Sequence, residues 1–205
     1  MIKITSLLSV LILLNACSDN GQSGILQFGK TEPIIVDIQP FDGIPLEHVR
    51  FVNSELQKVY PHIQVKSSIP LPELAFYKKR ARYRADSLIR YMHKFTPKGH
   101  VTLGLTHKDI SHTKGKMKDF GIMGLAYQPG NSCVVSTSRL KKTNVLSQLF
   151  KTAIHELGHT QGLPHCPVKT CFMRDAEGKN RTDEETAFCP DCSAYLESKG
   201  WKNIK

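Results

Sequence analysis

Apolar residues along the chain switch between two spacings, and the switches mark out a series of elements. Pro33 to Phe41 (PIIVDIQPF) is apolar and β-branched with alternation in its middle, which predicts a strand. Leu46, Val49, Val52, Leu56 and Val59 then recur every three or four residues, as on the buried stripe of a helix. His62 to Ile69 predicts a second strand. The run from Tyr77 to Lys94 carries Leu88, Ile89 and Met92 at helical spacing and stops before Pro97-Lys98-Gly99. His100 to Thr106 is close to continuously apolar and predicts a third strand. Phe120 to Tyr127 and Ser132 to Ser138 predict two more, joined by the turn residues Gln128 to Asn131. The longest helical pattern runs from about Asn144 to His159, with Leu146, Leu149, Phe150, Ala153 and Leu157 on its apolar face. Strand, helix, strand, helix, strand, hairpin, helix is the order of an α/β domain built on a mixed sheet.

The first sixteen residues fall outside this pattern. Lys3 precedes an apolar run that ends at Leu14, too short to span a bilayer as a helix and of the form of an export signal. Leu14-Asn15-Ala16-Cys17 resembles a bacterial lipobox. The resemblance implies cleavage before Cys17, acylation of that cysteine and an extracytoplasmic protein anchored by lipid to the cell envelope. The alternative is a plain secretory signal with a stray cysteine. Residues 17–32, with SDNGQSG at Ser18 to Gly24, form the expected tether. Residues 33–205 are enough for one domain with a real core, and they contain no internal repeat.

Net charge is +10, with much of the excess between Tyr77 and Lys94. Nucleic-acid binding would use such charge, but an exported lipoprotein rarely meets nucleic acid. The basic residues are better read as the solvated face of the predicted helix. A monomer with no nucleic-acid partner is expected.

The chemistry is concentrated in HELGHTQGLPHC, His155 to Cys166. His155 and His159 are one turn apart on one helix face, so both imidazoles can meet one ion. Were the helix to continue, His165 would lie about 15 Å along the axis from His155, at a rise of about 1.5 Å per residue. It could not reach a zinc whose bonds to nitrogen are about 2 Å. The chain must therefore reverse after His159. Gly162, which accepts left-handed backbone, and Pro164, which cannot continue a helix, permit the reversal. Three histidines leave a fourth coordination position open, as in hydrolytic zinc sites, and Glu156 is placed to take a proton from a water there.

Of six cysteines, Cys17 is assigned to lipid and Cys133 lies in a predicted strand as a buried, inert thiol. Cys166, Cys171, Cys189 and Cys192 form two close pairs, as a structural tetrathiolate zinc site requires. Outside the cytoplasm a disulfide at Cys189–Cys192 is the rival, and with it a thiol–disulfide activity. If zinc is held, His165 and Cys166 face two different ions, and the second braces the loop that delivers the third histidine.

HELGHTQGLPHC, then CFM, then FCPDC together resemble the archaemetzincins, zinc metallopeptidases of the metzincin type. GLTHKDI, FGIMGLAY and CVVSTSRL resemble the strands that precede the family's active-site helix. The resemblance implies a metzincin-like domain, a mixed twisted sheet with an antiparallel edge strand, and a catalytic zinc on His155, His159 and His165 with Glu156 as general base. It further implies a second zinc on Cys166, Cys171, Cys189 and Cys192, and Met173 in the turn beneath the catalytic ion. Peptide substrates follow, with trimming from the amino end among the options, bound along the Ser132–Ser138 strand taken as the sheet edge. A zinc-stabilised peptide-binding protein of the same fold that turns nothing over is the alternative; Glu156 speaks against it, since binding needs no carboxylate there.

Overall fold

The computed structural model describes residues 33–202; the export signal, the Cys17 lipidation site and the tether lie outside the described residues. Five strands make the main sheet: β1 (Ile35–Pro40), β2 (Ile63–Val65), β5 (His100–Thr106), β9 (Ser132–Ser136) and β8 (Gly124–Ala126). Their order is β2-β1-β5-β9-β8, parallel except for β8, which pairs antiparallel with β9 at the edge. A second sheet, ordered β3-β4-β6-β7, is built from β3 (Phe76–Tyr77), β4 (Arg82–Arg84), β6 (Ile110–Lys114) and β7 (Met117–Ile122).

The central strands β1, β5 and β9 are buried on both faces, which is why they read as runs rather than alternations. On β9, Cys133 and Val135 point into a core shared with α1 (Leu46–Val59) and α3 (Val145–Thr160). Val134 points to the other face, where Leu88, Ile89 and Met92 of α2 (Ala85–His93) meet Phe41 and Ile110. A final helix, α4 (Pro190–Glu197), starts with proline in its first turn, where no backbone N–H is needed.

Four sequence expectations need correction. The basic segment is not one helix: Lys78–Arg80 form a 3-10 turn, Ala81 takes a left-handed conformation (φ 50°), and Arg82–Arg84 are strand. Much of its charge is not a solvated helix face either. Arg82 is fixed between Asp109 (2.6 Å) and Asp119 (3.1 Å) in the second sheet, and a paired side chain carries no helical period to read. Phe120–Tyr127 is not one strand but the end of β7 and the whole of β8, which belong to different sheets. The Ser132–Ser138 strand is not an edge, because β8 covers it. Finally, Leu46, expected on the buried stripe of α1, is 60% exposed, while its neighbour His48 is buried.

Candidate active site

α3 carries His155 and His159 on one face, and the chain leaves it through Gly162 at φ +104°, the left-handed turn that proximity of His165 demands. Tyr195 presses on this turn: its hydroxyl donates to Gln161 O at 2.8 Å, and a Cβ on Gly162 would lie 2.8 Å from it. The reversal returns His165 to the pair. Its ring lies 5.4 Å from that of His155 and 4.8 Å from that of His159, and one nitrogen from each of the three falls within 4.8 Å of the others.

Backbone carbonyls set the tautomers. A carbonyl can only accept, so His155 Nδ1–H donates to Phe172 O (2.6 Å) and His159 Nδ1–H donates to Leu163 O (2.7 Å). Each Nε2 is then left with a lone pair, and these two atoms sit 3.0 Å apart. Two lone pairs so close repel unless a cation lies between them. In a tetrahedral zinc site with bonds of about 2.0 Å, ligand nitrogens are about 3.3 Å apart, so the donor set fits that ion. Burial, then the neighbouring His159, pushes His155 down to about 3, and burial lowers His159 as well. Both rings therefore stay neutral, which is the form that binds metal.

Glu156 points from the same helix turn against β8. A Cβ built on Gly124 would meet its Oε1 at 2.4 Å, so the edge strand can lie this close only because residue 124 has no side chain. Burial raises the Glu156 carboxyl to about 8, so it holds a proton readily. Met173 is fully buried beneath the helix, with its sulfur 2.4 Å from a Cβ built on Gly158, between the two helical histidines.

The four cysteines after His165 converge in the same way. All four sulfurs lie within 4.8 Å of one another, with Cys166 and Cys189 3.6 Å apart. A disulfide is about 2.05 Å, and the five described cysteines are free. Thiolates on one zinc with bonds of about 2.3 Å are about 3.8 Å apart, so this cage also fits the ion. Burial pushes Cys171 up to about 11 and raises Cys192 further, so without a metal these two thiols resist ionising. Cys171 Sγ accepts from the backbone N–H of Met173 (3.4 Å) and Cys189 (3.3 Å). Cys166 N–H donates to Met173 O (2.7 Å). The segment Cys171-Phe172-Met173 thus touches both clusters. Cys133 is buried and its thiol is raised by burial, as an inert core residue should be.

The histidines open on a cleft of about 550 Å³. Gly121 to Ala126 form one wall, and His165 with the 174–182 loop forms the other. Three lining residues gave no signal that was read from the sequence: Arg139, whose guanidinium occupies the space above Gly121, Lys151 and Glu185. Lys151 was legible in principle, since it stands four residues before His155 on the same helix face; Glu185 arrives from a loop and was not.

Residues 46–198 match the sequence model of peptidase family M54. The archaemetzincin of Methanopyrus kandleri is 34% identical over 144 residues, covering 68% of this chain and 78% of that protein. The archaemetzincin of Halobacterium salinarum is 32% identical over 171 residues, 77% and 96% of the two chains. The crystal structure of archaemetzincin from M. kandleri aligns at a TM-score of 0.70 and 29% identity, over 82% of this chain and 95% of that one.

Proposed function

The chain belongs to peptidase family M54, the archaemetzincin zinc metallopeptidases, and from that premise we propose that His155, His159 and His165 hold the catalytic zinc and Glu156 is the general base. When bound, zinc supplies the Lewis acidity that activates water and polarises a peptide carbonyl. The rest is done by the chain. Phe172 O and Leu163 O keep two imidazoles in the ligating tautomer. Glu156 accepts the proton of the attacking water and passes it to the departing amine. β8 offers its outer edge to an extended peptide, so that the scissile carbonyl is presented beside Glu156. The observation that carries this reading is the return of His165 to the helical pair after the Gly162 turn.

Cys166, Cys171, Cys189 and Cys192 are assigned a second, structural zinc on the strength of their mutual spacing and free thiols. Substrates are peptides, with removal of amino-terminal residues as one mode open to the site. The protein acts as a monomer, anchored through acylated Cys17 to the envelope of a bacterial cell.

Two measurements test the core of this. Elemental analysis of the purified protein should give two zincs per chain. Glu156→Ala should lower peptide hydrolysis by at least about a hundredfold, the scale of general-base catalysis, with zinc content unchanged. Undiminished hydrolysis in that variant, or a chain that holds no zinc, would remove the assignment.

A further inference from the structure

α3 and β8 run side by side in the same direction. Gly124 lies against Glu156, and four residues later Gln128 Nε2 donates to Gly162 O (3.2 Å) while Gly130 N–H donates to Thr160 O (3.2 Å). Lys151 precedes Glu156 by five residues, or about 7 Å of helix. It therefore lies beyond the start of β8, at the Gly121–Ile122 end of the cleft that it lines. A peptide added antiparallel to β8 runs its carboxyl-terminal half toward that end.

Lys151 is prepared there as a fixed cation. Its ammonium donates to Thr182 O (2.8 Å) and Glu185 O (2.7 Å), which orders a side chain that is otherwise costly to order. An ammonium has three N–H donors, so one remains. Among the described residues, Lys151 has no carboxylate within ion-pair distance. The other cations of the cleft differ: Arg139 is clamped by both oxygens of Asp109 (2.8 and 2.9 Å) and Arg174 by Glu184 (2.6 Å), while Lys114 and Lys179 are exposed at the rim. Beside Lys151, Glu185 is only 4% exposed, and its carboxyl makes no hydrogen bond among the described residues. In neutral form it adds an O–H donor to the same end of the cleft.

Resting on the peptidase reading above, we propose that Lys151 receives a substrate carboxylate on the carboxyl-terminal side of the scissile bond, so that the enzyme selects peptides acidic there. The carboxylate can come from an Asp or Glu side chain or from the peptide's own terminus. Either gains a charge-assisted hydrogen bond in a partly enclosed site, whereas a Lys or Arg side chain there meets a cation. Lys151 acts on selection and not on the chemical step, which belongs to Glu156.

The test uses the zinc-loaded full chain and four peptides of one sequence: Glu or Gln after the scissile bond, each as free acid and as carboxyl-terminal amide. Hydrolysis should favour a carboxylate by about tenfold or more in kcat/KM, the size of a charged hydrogen bond, mainly through KM. A gain confined to the Glu peptides identifies the side chain as the source; a gain confined to the free acids identifies the terminus. Lys151→Met should level the four peptides while still cleaving the Gln amide, Lys151→Arg should restore part of the preference, and Glu185→Gln should keep it. Binding of the same peptides to zinc-loaded Glu156→Gln, followed by calorimetry, gives an answer independent of turnover. If no peptide is hydrolysed by wild type but carboxylate peptides still bind better and lose this with Lys151→Met, the pocket stands and the peptidase reading falls. Equal kcat/KM and equal binding for all four, or preference for a Lys peptide, overturns the proposal even if Lys151→Met fails to fold, since both are read on intact Lys151.

Discussion

At the scale of single residues, the site depends on what is missing as much as on what is present. Gly124 is not in a left-handed conformation; it is a glycine because the Glu156 carboxyl occupies the place of a side chain. Gly124→Ala would put a methyl carbon 2.4 Å from Oε1 and 2.7 Å from Cγ, and Glu156 must then swing away from the position in which it is proposed to deprotonate water. We expect kcat to fall about 10- to 100-fold, since small misplacements of a catalytic group have that effect, with zinc content unchanged by elemental analysis. Unaltered kcat would mean that the carboxyl works from another position. Glu185 carries a second residue-scale consequence. Burial raises its carboxyl from 4.5 to about 7, with Lys151 pulling the other way. The folded protein thus holds a proton that the unfolded chain has released, so stability falls as pH rises from 4.5 to about 7 and then levels off. The loss is on the order of 3 kcal/mol. Glu185→Gln should melt with wild type near pH 4.5 and several degrees higher at pH 8; parallel melting curves at both pH values would show that the acid is not held neutral.

At the scale of elements, α3, the turn after it and the cysteine loop form one unit. Phe172 supplies the carbonyl that orients His155, Cys171 and Met173 flank it, and Cys166 follows His165 directly. Cys189→Ser should therefore do more than remove one zinc ligand. With the cage opened, the Cys171–Met173 segment loses its anchor, and melting temperature and kcat/KM should fall together, the latter by about 10- to 100-fold as for other groups that orient metal ligands. If the variant keeps full activity while binding one zinc, the two clusters are independent. The same elements show what was legible in advance. The convergence of His155, His159 and His165 follows from spacing and one glycine, because a helix fixes the relation of residues four apart and the tight turn after it leaves the third histidine little choice; the four cysteines read only as two close pairs, open to zinc or to a disulfide until the fold brings them together. β1, β5 and β9 read clearly because their apolar runs are buried on both faces. The second sheet did not, because its strands are short and basic. Arg82 and Arg84 are neither apolar nor alternating in sequence; pairing of β4 with β3 and β6, and the carboxylates of Asp109 and Asp119 on Arg82, hold them extended. The true edge was missed for a related reason. β8 is three residues long and is continuous in sequence with β7 of the other sheet, so nothing local marks where one ends.

At the scale of the whole molecule, where the enzyme sits decides what it can meet. Among the described residues no helix is long and apolar enough to cross a membrane; the proposed attachment is through Cys17. One acyl chain binds a membrane reversibly, whereas several on a single cysteine hold firmly. The full chain made in a bacterium that processes lipoproteins should enter the detergent phase of a phase-separating surfactant, and Cys17→Ala should move it to the aqueous phase. Mass spectrometry of the wild type should find acylated Cys17 as the first residue. Purified zinc-loaded wild type and Cys17→Ala should then cleave a soluble peptide equally, because Glu156 and the proposed zinc ligands all lie between residues 155 and 192. Identical partitioning of the two proteins would show that Cys17 carries no lipid, and the enzyme's peptides would then have to be sought in solution rather than at a membrane.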